Sequence, residues 1–128
     1  MIRAVLEGIC YHLRWLLESE MRKVKTSDTI RFVGGGALST VTCQMLADIT
    51  GRTIETVSNS QEAGAIGTAL VVAAGIKGED VLELSRRLVK ANRAYFPDPQ
   101  NKDVYERNYK VFRKLYKANA SNFREINA

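Results

Sequence analysis

The chain has 128 residues, 45% hydrophobic and 26% charged, with nine glycines and two prolines, a composition that suits one folded domain and excludes disordered, fibrous and low-complexity chains. The longest apolar run, near Ala69–Ala74, is far short of a membrane-spanning helix, no basic-then-apolar leader opens the sequence, and Cys10 and Cys43 show neither a disulfide framework nor a zinc-ligand spacing, so a cytoplasmic protein with no membrane partner is expected. The net charge of +5 lies wholly in the second half, since residues 1–64 hold seven basic and seven acidic side chains and residues 65–128 hold twelve and seven.

Ile2, Val5, Leu6, Ile9, Leu13, Leu16, Leu17, Met21 and Val24 recur at helical spacing and predict a long amphipathic first helix. No Ser, Thr, Asp or Asn stands before it as an N-cap, so the expectation is either a frayed start or a chain that begins inside a longer protein's helix. Ile30–Val33 reads as a short buried strand running into Gly34-Gly35-Gly36. Ser39 is placed to cap a second helix carrying Val41, Met45, Leu46 and Ile49, and Gly51 to end it. Thr53–Val57 alternates and is rich in β-branched residues, which predicts a second strand. Ser58 and Gln61 can form a capping box for a third helix over about Gln61–Ala74, ended by Gly75 and Gly78 and made largely of small residues. Asp80–Ala91 predicts a fourth helix with Val81, Leu84, Leu88 and Val89 inward. The run Tyr95-Phe96-Pro97-Asp98-Pro99 predicts a rigid turn, and a last helix follows over about Lys102–Arg124 with Tyr105, Tyr109, Phe112 and Tyr116 as a stripe. The order is α/β, helix-rich with few strands. Two short strands cannot cover so many apolar helix faces, so the chain reads as part of a larger α/β domain.

The chemistry is concentrated at Gly34–Ser39. A strand that runs into three glycines and then a helix offers backbone free of Cβ atoms and unpaired N–H groups at a helix start, a combination that suits a phosphate or the ribose edge of a nucleotide. A glycine turn needed only for packing is the competing explanation. The P-loop pattern is absent. The dinucleotide pattern GxGxxG fits at its first two glycines only, with Ser39 at the third position; Glu55 stands near the distance of a ribose-binding acid, so a dinucleotide-binding domain stays as an alternative.

Taken in order, Arg3–Gly8, Val33-Gly34-Gly35-Gly36-Ala37-Leu38-Ser39, Gln44–Gly51, Glu62–Ala69 and Ala73-Ala74-Gly75 resemble the C-terminal region of the FGGY carbohydrate kinases, most closely the xylulokinase-like members. The similarity runs over about residues 2–78, and the tail after Val81 resembles the family's ending less specifically. The resemblance implies an ATPase domain of the actin/Hsp70/sugar-kinase fold, of which residues 1–128 are a partial C-terminal, nucleotide-binding portion with a basic helical tail from about residue 80. It implies ATP as cosubstrate, with Mg²⁺ carried through the nucleotide, and transfer of the γ-phosphate to a sugar hydroxyl, xylulose or a related sugar. Gly35 and Gly36 would present backbone to the phosphate and ribose region, Gly34 and Ala37 would shape the turn, and Ser39 would lie near the adenosine end or serve as the helix cap. Gln44 and Asp48 would be structural support, and Glu62 with the small residues after it would bring a helix close to the sheet.

Two departures bear on the adenine pocket: Thr42-Cys43 stand where the family often has an aromatic residue and Arg, and Gly64 and Thr68 where Ala is commoner. The family's catalytic Asp and its sugar-binding residues lie upstream of everything matched, so none of Asp28, Asp48, Asp80, Asp98 or Asp103 inherits the base's role. The implied partners are ATP and the N-terminal, sugar-binding half of the kinase, with a homodimer left open.

His12 is read as a surface or core residue, the cysteines as small buried hydrophobes and Trp15 as packing. The aromatic stripe among Arg107, Lys110, Arg113, Lys114 and Lys117 could stack nucleic-acid bases. A docked helix with its basic groups in solvent is the preferred reading, which disfavours nucleic acid as a partner.

Overall fold

The computed structural model describes residues 1–128. Helix α1 (Ile2–Met21) starts with no side-chain cap. Its apolar stripe divides. Cys10 and Tyr11 are buried, Leu6, Leu13 and Trp15 pack against them, and Ile2, Val5, Ile9 and Leu16 stay exposed. Strand β1 (Thr29–Phe32) lies one residue earlier than the expected strand and alternates between exposed and half-buried positions. It is an edge strand and not a buried one, because its single neighbour is β2.

Helix α2 (Thr40–Thr50) begins where Ser39 Oγ accepts the N–H of Thr42 at 3.2 Å. Gly51 ends it in the left-handed region (φ +67°). Strand β2 (Thr53–Val57) occupies the expected residues and pairs in parallel with β1, Thr29 opposite Thr53 and Phe32 opposite Thr56. Together β1, α2 and β2 form a βαβ unit.

The expected Ser58–Gln61 capping box does not form. Left-handed Asn59 (φ +56°) and a 3₁₀ turn over Ser60–Glu62 use those residues, so α3 (Ala63–Lys77) starts two positions later without a side-chain cap. Gly75 lies inside α3, and Gly78 alone ends it.

Asp80 Oδ1 accepts the N–H groups of Leu82 and Glu83 at 2.9 Å and caps α4 (Val81–Leu88). The fourth helix is therefore three residues shorter at its end than expected. Leu84 is its one buried residue, Val89 is partly buried, and Val81 and Leu88 are exposed. The chain then turns extended into β3 (Ala91–Tyr95), a third strand that the pattern did not predict. It pairs antiparallel to β2, with Ile54 opposite Tyr95 and Thr56 opposite Arg93, and closes a sheet in the order β1-β2-β3. The expected last helix breaks at Asn119 into α5 (Lys102–Ala118) and α6 (Ala120–Ile126).

The core gathers on one face of the sheet. Helix α2 touches β2 and β3 on one side and α1 and α5 on the other. Cys43, Leu46, Ala47 and Ile49 of α2 meet Cys10 and Tyr11 of α1, Ile54 and Tyr95 of the sheet, and Tyr105 and Tyr109 of α5. The other sheet face carries an ion pair, Arg31 Nε to Glu55 Oε2 at 3.2 Å. The aromatic stripe of α5 is spent on α1. The Tyr11 ring lies 6.4, 6.0 and 5.6 Å from those of Tyr105, Tyr109 and Phe112, and Trp15 meets Tyr116 edge-on at 5.6 Å. Tyr105 and Tyr109 are buried by this packing, whereas Tyr116 stays 59% exposed.

Candidate functional site

The glycine turn is built by the backbone. Gly34 sits at φ +87°, ψ −172°, a conformation essentially confined to glycine. Its N–H donates to Ser60 O at 2.8 Å, which ties the turn after β1 to the turn after β2. Gly35–Leu38 then form one 3₁₀ turn, closed by Ala37 N–H to Gly34 O at 3.1 Å and Ser39 N–H to Gly36 O at 3.2 Å. The N–H groups of Gly35 and Gly36 open that turn and have no acceptor within it.

The glycines are not equivalent. A Cβ on Gly36 would stand 2.9 Å from Phe32 Cζ, whereas one on Gly35 would meet nothing within 4 Å. Gly36 lets the turn fold onto the β1 aromatic, and Gly35 faces open space. Ala37 is buried, and its carbonyl accepts the Cys43 thiol at 3.5 Å. Ser39 Oγ is committed to α2, since it accepts both the N–H and the hydroxyl of Thr42.

Both parallel strands end at this point, the position at which open α/β sheets take ligands. A cleft of about 400 Å³ opens there, lined by Ala37, Leu38 and Thr40, by the Ser60–Glu62 turn, and by Thr56, Arg93 and Tyr95 of the sheet. Arg93 and its neighbour Asn92 come from the strand the sequence did not reveal. Arg93 makes no ion pair, and its guanidinium lies 5.2 Å from the Tyr95 ring centre.

Gln44 and Asp48 act as support. Asp48 Oδ1 accepts from Gln44 Nε2 at 2.8 Å and from the Asp98 N–H at 2.9 Å, and Oδ2 accepts from Asn101 Nδ2 at 2.9 Å. One carboxylate thus holds the Pro97–Pro99 turn against α2. Gln44 Nε2 also donates to Phe96 O at 2.7 Å.

The remaining candidates lie away from the turn or are buried. Both cysteines are fully buried. Burial pushes the Cys10 thiol up to about 11 and raises that of Cys43, which leaves neither as a ready nucleophile. His12 lies exposed on α1, at the rim of an apolar groove between α1, α5 and α6. No three His, Cys, Asp or Glu side chains are placed to hold a metal ion. No helix is long and apolar enough to cross a membrane.

Comparison with known proteins places this geometry. The sequence model of the FGGY family of carbohydrate kinases, C-terminal domain, matches residues 1–76. The chain belongs to the FGGY family of carbohydrate kinases. A probable L-xylulose kinase of Haemophilus influenzae is 31% identical over 118 residues, covering 92% of the chain and 24% of that protein. A xylulose kinase of Staphylococcus epidermidis is 31% identical over 116 residues, covering 90% and 23%. The crystal structure of ligand-bound xylulose kinase from Lactobacillus acidophilus superimposes with a TM-score of 0.83 at 25% identity, over 97% of the chain and 25% of that protein. This FGGY chain has the fold seen in sugar kinases of the actin/Hsp70 type, helix-rich with three strands. It spans about a quarter of the length of the curated relatives it matches.

Proposed function

We propose that the chain supplies part of the ATP cradle of a carbohydrate kinase that phosphorylates xylulose or a related sugar. The observation that carries this reading is the turn at Gly34, which leaves the N–H groups of Gly35 and Gly36 without an acceptor in the turn and Gly35 beside open space at the carboxyl end of β1. Those N–H groups, at Gly35 and Gly36, take the nucleotide phosphates. Gly34 and Ala37 hold the turn in shape. Ser39 orients the start of α2 from the adenosine end. The adjoining cleft of about 400 Å³ gives the nucleoside room. Mg²⁺ would be carried on the phosphate oxygens of the nucleotide. The relatives named xylulose kinase support the sugar class. Phosphoryl transfer also needs a base that takes the proton of the sugar hydroxyl. None of the carboxylates here stands free in the cleft beside the turn except Glu62 on its rim, so the base and the sugar site are assigned to the sugar-binding N-terminal half.

Calorimetric titration with ATP–Mg²⁺ and with ADP tests the reading. Weak binding is expected, abolished in Gly35→Val, whose added side chain enters the open space without disturbing the fold. Absence of binding at millimolar nucleotide overturns the cradle. Phosphorylation of D-xylulose by the purified chain overturns the division of labour.

A further inference from the structure

Helix α3 is out of keeping with its surroundings. From Ala63 to Ile76 it has no charged residue, and its one polar side chain, Thr68, turns its hydroxyl back to Gly64 O at 3.0 Å. A helix apolar all the way round belongs in an interior. Yet α3 buries only Leu70 and Ala74, while Val71, Val72 and Ile76 are 63%, 54% and 81% exposed. The expected close approach to the sheet is not made within this chain. The space around an ideal Cβ at Gly64, Gly67 and Gly75 is empty to 4 Å, so no backbone comes near the small-residue surface.

The uncovered surface continues beyond α3. A groove of about 500 Å³ runs from Ile66 and Leu70 of α3 to Val33 and Val57 at the strand ends. There it reaches β1, which is paired on one edge only and leaves the other edge's N–H and C=O groups without a strand partner. An apolar helix face, an apolar groove and an open strand edge therefore adjoin one another. Lipid does not fit them. Fifteen residues of helix span about 22 Å, less than the roughly 30 Å of a bilayer's hydrocarbon core, and a strand edge cannot be satisfied by hydrocarbon.

We propose that the exposed stripe of α3, Ala65, Ala69, Val72 and Ile76, docks the upstream three-quarters of the kinase fold. The inference rests on the reading of the chain as part of a sugar kinase. What commits the occupant is the arithmetic of length: the chain matches 24% and 23% of two curated relatives, and a quarter of a shared fold must present to the other three-quarters the surface that was interior between them. The small residues set the kind of contact, since Gly64, Ala65, Thr68 and Ala69 allow another backbone to lie close against α3.

Co-expression tests this. The probe is the Staphylococcus epidermidis xylulose kinase cut before its matched segment, produced with the full 128-residue chain carrying an affinity tag. One-to-one co-purification is expected. Val72→Asp and Ile76→Asp should each weaken capture about tenfold or more. Ala69→Leu, which keeps the face apolar and the helix favourable but fills the gap, should do the same. Val111→Asp, on the exposed side of α5, should not. Circular dichroism and thermal midpoints of the free variants establish that they fold; a charged variant that does not fold leaves Ala69→Leu to decide. The proposal is overturned if the wild-type chain captures nothing, if capture survives the α3 substitutions, or if α3 instead mediates a dimer of the chain that Val72→Asp dissolves. Nucleotide plays no part in this readout. Failure to bind ATP would end the cradle reading while leaving the docking surface standing.

Discussion

The α1–α2–α5 side of the molecule and the α3–α4 arm are both rich in apolar residues, but they differ in what they bury. The first closes eleven buried residues into one cluster, with α2 wedged between the sheet and two helices. The second buries three: Leu70, Ala74 and Leu84. Hydrophobic content therefore does not locate a core. What matters is whether several elements converge on the same side chains, as α1, α2, β2, β3 and α5 do around Ile49 and Ile54, and as nothing does around Val72. The polar reinforcement follows the same division. Arg14 donates to Glu18 at 3.0 Å, to Glu106 at 2.7 Å and to Ile49 O at 3.1 Å, and so fastens α1 to both α2 and α5. The arm has a single ion pair, Arg87 to Glu79 at 2.9 Å, and its other side-chain hydrogen bonds, at Asp80 and Thr68, are local.

The contrast is open to attack at several places. Ile54→Ala empties a fully buried position and should cost about 4 kcal/mol, read as a loss of cooperative unfolding free energy in urea; a cost under about 1 kcal/mol would mean that the large cluster is not the seat of stability. Asp48→Ala removes an acceptor shared by three donors and should cost about 3 kcal/mol by the same measurement. Leu84→Ala should cost about 2 kcal/mol, but locally: amide exchange should quicken across residues 63–88 and stay unchanged in α2 and β2. Equal quickening everywhere would show that the arm and the core unfold as one.

Alkali separates the two regions by titration. Burial, with Glu18 accepting its hydroxyl, holds Tyr109 up at about 12, and burial holds Cys10 at about 11. Unfolded, they would ionise near 10.0 and 9.0. Both folded values are raised, so the unfolded chain gives up these protons first. The stability linked to them is complete below pH 9 and is lost as pH rises through 11 and 12. Residues 58–90 contain no Cys or Tyr, so exchange in the arm should lack this alkaline step unless it is coupled to the core.

Elements decided by local chemistry were legible in the sequence. Thr53–Val57, the Ser39 cap and the glycine stops at 51 and 78 depend on neighbours within a few residues. Strand β3 was not legible because Ala91–Tyr95 buries a single side chain; its conformation is imposed by pairing with β2 some forty residues earlier. The same dependence hid Asn92 and Arg93 from the cleft, while the turn at Gly34–Gly36 was evident from three glycines after an apolar run. The Ser58–Gln61 cap failed because Gly34 takes the carbonyl of Ser60, a long-range bond that pulls those residues into a different turn. Continuity of helix past Asn119 fails locally: Asn119 takes φ −99° and ψ +7°, and its side-chain Nδ2 donates back to Leu115 O at 2.9 Å.

The packing of Tyr11 against Tyr109 has a consequence for biosynthesis. Ribosomes add about 5–20 residues per second, so the aromatic face of α1 stays uncovered for several seconds before the segment that covers it has been made. The βαβ unit can assemble in that interval from contacts within its own stretch. Closure of the core cannot, and it waits until the α5 stripe emerges, when α1 is the surface that stripe must still find unoccupied.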